Sequence, residues 1–111
     1  MTMRLAFALM LAGSAAQGFP CDFTTECREA EACVESTFAL DVDVEAQAMS
    51  TQAGEITIVA IREQDALISV FGAGTGAEYM LSITPEAARL SAHMNDGPRA
   101  IQYLGTCEGA F

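Results

Sequence analysis

Three of the four cysteines stand six residues apart, Cys21, Cys27 and Cys33 in the stretch CDFTTECREAEAC, and the fourth, Cys107, lies near the far end of the 111-residue chain. Zinc sites draw their ligands from pairs two to four residues apart, so that two thiolates reach one ion from a tight turn. The spacing here is wider, and there is no CxxC for thiol exchange of the thioredoxin kind and no CxxCH for haem attachment. An even cysteine count in an exported chain reads instead as two disulfides.

Chain entropy does not choose the pairing. Closing Cys27 to Cys33 is worth about 2.4 kcal/mol and Cys21 to Cys107 about 4.6 kcal/mol in the loop-closure picture, but joining Cys21 to Cys27 and Cys33 to Cys107 gives nearly the same total. Local geometry has to decide. If residues 21–27 are extended, Cys21, Phe23, Thr25 and Cys27 share a face, and REAEA becomes a hairpin loop with Cys27 opposite Cys33. The rival is a helix over residues 26–34, favoured by Glu, Arg and Ala. It would set Cys27 and Cys33 about 9 Å apart along its axis, out of disulfide reach. The hairpin is the expectation taken forward, with bridges Cys27–Cys33 and Cys21–Cys107.

Export is read from the N-terminus. MTMRLAFALMLAGSAAQG offers Arg4, an apolar run from Leu5 to Ala12 and then small residues, the pattern of a cleaved signal peptide over residues 1–18. Cleavage after Ala16 or after Gly18 both fit, which leaves residues 19–111 as a single β domain. Gly-Phe-Pro before Cys21 does not match a lipid-attachment signal. Every apolar run falls short of the roughly 20 residues that a spanning helix needs, so no membrane insertion is expected. The mature protein is expected to be periplasmic or secreted.

The chain carries 15 acidic residues and a formal charge of −10, which becomes −11 once Arg4 leaves with the leader; it has no lysine. Such a surface repels phosphate backbones and anionic lipid, which argues against nucleic-acid binding; it serves solubility in a salty medium, and if it has a partner, charge favours a basic protein. About 95 residues support only a modest core, the situation in which small exported domains rely on disulfides.

From Thr37 onward the apolar pattern has period two. In TFALDVDVE, Phe38, Leu40, Val42 and Val44 alternate with Asp41, Asp43 and Glu45. EITIVAIR (55–62), ALISVF (66–71), AEYMLSI (77–83), AARLSAHM (87–94) and RAIQYLGTC (99–107) follow as further strands, with NDGP (95–98) the strongest turn signal. With the N-terminal segment this makes an all-β antiparallel meander of about seven strands. A bridge from Cys21 to Cys107 would bring the first strand beside the last, giving a closed or nearly closed barrel without exposed edges. Its interior is expected to hold Phe38, Leu40, Val42, Ile58, Leu67, Tyr79, Leu81, Leu90, Ile101 and Tyr103, leaving little room for a large ligand. EAQAMSTQAGE (45–55) reads as the most mobile loop.

Little in the chain points to catalysis. His93, the only histidine, falls on the polar side of its strand with no local nucleophile beside it. Asp41, Asp43 and Glu45, like Glu26, Glu29 and Glu31, read as solvated acidic faces, because a calcium loop also needs a turn and backbone carbonyls. No residue set calls for a metal or a cofactor, and the chain is read as non-enzymatic. FGAGTGAEYM (71–80) is the most unusual loop. Its glycines lead into a strand, unlike a phosphate cradle, which leads into a helix. Its plain reading is a flexible hairpin turn; the other is recognition, which exposed glycine-rich loops on a rigid sheet tend to carry, and which makes Gly74, Thr75, Gly76 and Tyr79 the candidate partner-binding loop.

Thr75-Gly76-Ala77-Glu78-Tyr79, together with the leader and the stapled barrel, resembles the periplasmic inhibitors of c-type lysozyme known as the MliC family. That family carries a Ser-Gly-x-x-Tyr stretch followed by a Trp and a Lys-Gly element. Here Thr75 stands for the serine, Gly76 and Tyr79 match, and the Trp and Lys are missing. The resemblance implies an inhibitor that blocks a lysozyme cleft with the loop at residues 72–79, while the absent lysine removes the group that would meet the enzyme's catalytic carboxylate. In composition the chain also resembles small, acidic, lysine-poor exported proteins of marine alphaproteobacteria, which implies no activity. The expectation is a periplasmic binding or envelope accessory protein, with lysozyme inhibition as the alternative.

Overall fold

Alternating inward and outward side chains build eight strands in the computed structural model, which describes residues 18–111. The expected leader, with its cut after Ala16, lies outside the described residues apart from Gly18, which begins the first strand. The strands are β1 (Gly18–Arg28), β2 (Val34–Asp43), β3 (Ala48–Thr51), β4 (Gly54–Gln64), β5 (Leu67–Ala73), β6 (Ala77–Ile83), β7 (Ala88–Met94) and β8 (Ala100–Cys107). Each pairs antiparallel with the next, and β1 pairs with β8, so the meander closes into a barrel. Closure leaves no free sheet edge. No helix among the described residues is long and apolar enough to cross a membrane.

Disulfides join Cys21 to Cys107 and Cys27 to Cys33. The first is a cross-strand bridge between directly opposed residues of β1 and β8, at the barrel's seam. The second sits at the base of the β1–β2 hairpin, one step beyond the last registered pair, Glu26 and Val34. Arg28 still belongs to β1, so the loop runs over residues 29–33, and the Glu31 amide donates to the Arg28 carbonyl at 2.8 Å to close it. Extended backbone through Arg28 rules out the helix over residues 26–34.

The core fills the barrel. Phe23, Met49, Leu81, Ile83 and Leu90 are almost wholly buried, and Leu40, Val42, Ile56, Ile58 and Val70 pack with them. Each such side chain contributes about 1.5–3 kcal/mol by leaving water. Phe38 and Tyr103 stack with ring centroids 4.7 Å apart, and Phe23 packs against both at 6.1 and 6.2 Å.

Four expectations need correction. The strand count is eight, because residues 48–51 within the supposed mobile loop form β3, which pairs with both β2 and β4. Only one side chain of that strand, Met49, is fully buried, and a four-residue strand with a single large apolar anchor has no readable period. Second, Cys21 and Cys27 do not share a face. Phe23 opposes Gly105 while Thr25 opposes Leu104, so a β-bulge at Thr24 shifts the alternation by one. Glu26 then falls on the interior row with Tyr103, and Cys27 on the outer row with Gln102. Third, Leu67 points outward and is 40% exposed. Both faces of LISVF are apolar, and the register with β6, which opposes Ile68 to Ile83 and Val70 to Leu81, puts the even-numbered residues inside. Finally, Glu26 and Glu29 are not free surface carboxylates: Glu26 is paired with Arg28, and Glu29 accepts a hydrogen bond from the Ala100 amide at 2.6 Å.

A second bulge, between Ile58 and Ala60, moves the inward series of β4 from Ile56 and Ile58 to Ile61 and leaves Val59 exposed. Bulges bend strands and raise local twist, which a small barrel needs in order to close.

Candidate functional site

The barrel's strands run alternately up and down, so the β1–β2, β3–β4, β5–β6 and β7–β8 connections share one end. The β3–β4 turn is tight, with Thr51 directly opposite Gly54, and the β5–β6 turn is scarcely longer. Ala73 opposes Glu78, and the Gly74 amide donates to the Ala77 carbonyl at 2.9 Å, which leaves only Thr75 and Gly76 at the tip. The Asn95 amide of the β7–β8 loop donates to the Gly76 carbonyl at 3.0 Å and ties the two loops together. What looks in the sequence like a flexible glycine-rich loop is a short, braced hairpin turn.

Tyr79 stands behind this turn. It lies on the interior row of β6, opposite Gly72 on one side and Ala92 on the other, and packs half-buried against the core. Its ring passes so close to Gly74 that a Cβ there would come within 2.8 Å of the ring edge. Gly74 is therefore a close-approach glycine, whereas Gly76 faces open space.

Gly74, Thr75, Gly76 and Tyr79 line one shallow depression of about 160 Å³, whose other wall is the β3–β4 hairpin: Thr51, Ala53, Gly54, Glu55 and Ile56. Glu55 is the one charged side chain in it. The hairpin is held by Thr51, whose hydroxyl donates to the Gly54 carbonyl at 2.8 Å and accepts from the Ala53 amide at 3.0 Å. Gly54 has φ of 135°, a backbone conformation that glycine adopts without strain. Sequence reasoning missed this second wall because it missed β3. The Thr-x-x-Gly spacing at residues 51–54 was the signal available.

The other residues weighed for chemistry are dispersed. His93 is exposed on the outer face of β7, with Glu78 of β6 directly opposite. Asp41 and Asp43 are exposed on β2, and the Asp43 carboxylate accepts from the Ala46 amide at 3.0 Å, capping the turn into β3. Nearer the barrel's mouth, Glu26 and Arg28 form an ion pair beside the Tyr103 phenol. Burial first, and the Glu26 charge second, hold the Tyr103 hydroxyl above its ordinary pKa of 10.0.

Comparison with protein-family models, with curated proteins and with solved structures finds no match to this chain. The geometry alone therefore bears on function. Two closed disulfides and no free cysteine belong to an oxidising, extracytoplasmic environment.

Proposed function

We propose that the protein is a non-enzymatic binding domain of the periplasm or the extracellular space, which presents the rim between its β3–β4 and β5–β6 turns to a basic partner protein. The observation that carries this reading is the convergence of two hairpin turns around Glu55 and Tyr79. Side chains fill the barrel, so recognition falls to its surface and its loops. Rigid presentation lowers the entropy lost on binding, and the braced turn at Thr75 and Gly76 supplies it. The formal charge of −10 adds long-range attraction for a basic partner.

Affinity capture from an extracytoplasmic extract on the wild-type protein and on a Glu55→Lys, Thr75→Arg variant tests the reading. A basic protein held by the wild type and released at least tenfold more easily by the variant supports it. Equal retention by both removes the rim as the binding surface.

The exposed Thr75-Gly76 tip with Tyr79 behind it favours one specific form of the reading, inhibition of a c-type lysozyme. Such enzymes are basic, and the tip is narrow enough to probe a cleft. A turbidity assay on bacterial cell walls decides this form, since unchanged lysis at micromolar protein would exclude it.

A further inference from the structure

The two bridges differ sharply in access. Cys21 is 1% exposed and lies in the core, with Cys107 packed against the same cluster. Cys27 is half-buried on the outer row of β1, and Cys33 is exposed at the end of the loop over residues 29–33. We propose that Cys27–Cys33 is a thiol–disulfide exchange site, opened by a neutral dithiol while Cys21–Cys107 stays closed.

Exchange requires a thiolate to reach one sulfur of the bridge. Cys33 offers that approach from solvent, because it lies outside the β1–β2 ladder. In the reaction a thiolate of the dithiol attacks Sγ of Cys33, the bond to Cys27 breaks, and its electron pair leaves on the Cys27 sulfur, which takes a proton from water. The second thiol then attacks the mixed disulfide and releases Cys33 as a thiol. Two electrons pass to the protein, and the dithiol leaves as a cyclic disulfide.

Local charge selects the reductant. Glu26, Glu29, Glu31 and Glu35 lie close to the bridge along the chain, and the cations at this end, Arg28 and the Arg99 that precedes Ala100, are engaged by Glu26 and Asp96. A thiol that carries carboxylates is repelled by this cluster, and a neutral dithiol is not.

Opening the bridge also has a structural consequence. The loop it closes carries Glu29, whose carboxylate accepts from the Ala100 amide at the start of β8. Glu29 holds φ of 40°, a conformation unusual for a side-chain-bearing residue. With the bridge open, the loop relaxes and this tie between the β1–β2 loop and β8 is lost.

The experiment treats the oxidised protein at pH 7.5 with dithiothreitol or with glutathione, and traps thiols by alkylation for peptide mapping. Expected is a species with only Cys27 and Cys33 free and the β-sheet circular dichroism intact. It forms about tenfold faster with dithiothreitol than with glutathione, relative to a neutral model disulfide, and high salt narrows that gap. Both bridges opening together, Cys21–Cys107 opening first, or no opening short of unfolding would overturn the proposal. Hydrogen exchange then reads the consequence in both the dithiothreitol-opened protein and a Cys27→Ser, Cys33→Ser variant. At least tenfold faster exchange of the Ala100 amide supports loss of the tie, and unchanged exchange refutes it.

Discussion

Gly105 of β8 lies directly opposite Phe23 of β1, and a Cβ placed on it would fall 1.9 Å from the Asp22 carbonyl oxygen and 2.6 Å from the Phe23 Cα. The obstacle is backbone on the bulged strand, and it cannot move without disturbing the seam where the barrel closes. Gly105→Ala is therefore expected to cost about 3 kcal/mol or more, at the upper end of what overpacking does. Urea unfolding followed by circular dichroism measures it. A loss below about 1 kcal/mol would mean that the seam yields more readily than a packed barrel allows.

The same seam gives the two disulfides unequal weight. Cys21–Cys107 joins residues 86 apart in sequence and Cys27–Cys33 residues 6 apart. Loop-closure entropy makes them worth about 4.6 and about 2.4 kcal/mol. Replacing Cys21 and Cys107 by alanine also removes the buried Cys21 sulfur from the core. That double variant should lose at least about 2 kcal/mol more than the Cys27, Cys33 double variant in denaturant titrations. Equal losses would show that the seam is held by its hydrogen bonds and packing alone.

Interior packing makes the phase of β5 testable. Leu81 is fully buried, while Leu67 is 40% exposed on the outer row. Leu81→Ala should cost about 2–5 kcal/mol, and Leu67→Ala within about 0.5 kcal/mol of nothing. Thermal unfolding of the two variants side by side separates them, and similar losses would put Leu67 back in the core.

The strands with one apolar and one acidic face were legible because alternation alone orients them. TFALDVDVE is the clearest: Leu40 and Val42 are buried, and Asp41 and Asp43 are exposed. Legibility failed where that signal is silent. In β5 both faces are apolar, and its phase comes from pairing with β6, which no local pattern carries. In β1 and β4 a bulge shifts the phase inside one strand, and nothing in TTE or IVA announces it. The candidate site was half legible for the same reason. Gly74, Thr75, Gly76 and Tyr79 stand out as a glycine-rich loop before a tyrosine, but Thr51 and Glu55 reach the site only through β3, whose single buried anchor, Met49, leaves no period to read.

Alkaline pH should destabilise the barrel through Tyr103. Burial and Glu26 raise its pKa in the folded state above the ordinary 10.0. Between those two values the unfolded chain has lost the proton and the folded chain keeps it, so stability is complete below pH 10 and falls as the pH climbs toward the raised value. Because Tyr103 is only partly buried, solvent screening keeps the effect modest. Tyr103→Phe removes the titration and should flatten the decline above pH 10 in urea titrations, relative to wild type. Parallel curves for the two proteins would assign the alkaline loss to other groups.

The two glycines of the candidate loop should behave in opposite ways. At Gly76 a Cβ meets nothing within 4 Å, so Gly76→Ala should leave stability within about 0.5 kcal/mol of wild type and add only a methyl group at the exposed tip. At Gly74 the new methyl would press on the Tyr79 ring at 2.8 Å, with Ile56 behind at 3.6 Å. The ring is attached to the interior row and can give only by shifting against the core, so Gly74→Ala should cost about 1–2 kcal/mol. It should also shift the Tyr79 ring resonances in NMR spectra, while Gly76→Ala leaves them in place. If partner binding depends on the depression between the two turns, Gly74→Ala weakens it by displacing Tyr79 from one wall. If binding depends on the tip alone, Gly76→Ala is the variant that weakens it. Measuring both affinities beside both stabilities tells the two modes apart, because a binding loss caused by general destabilisation would follow the unfolding free energy and not the position of the methyl group.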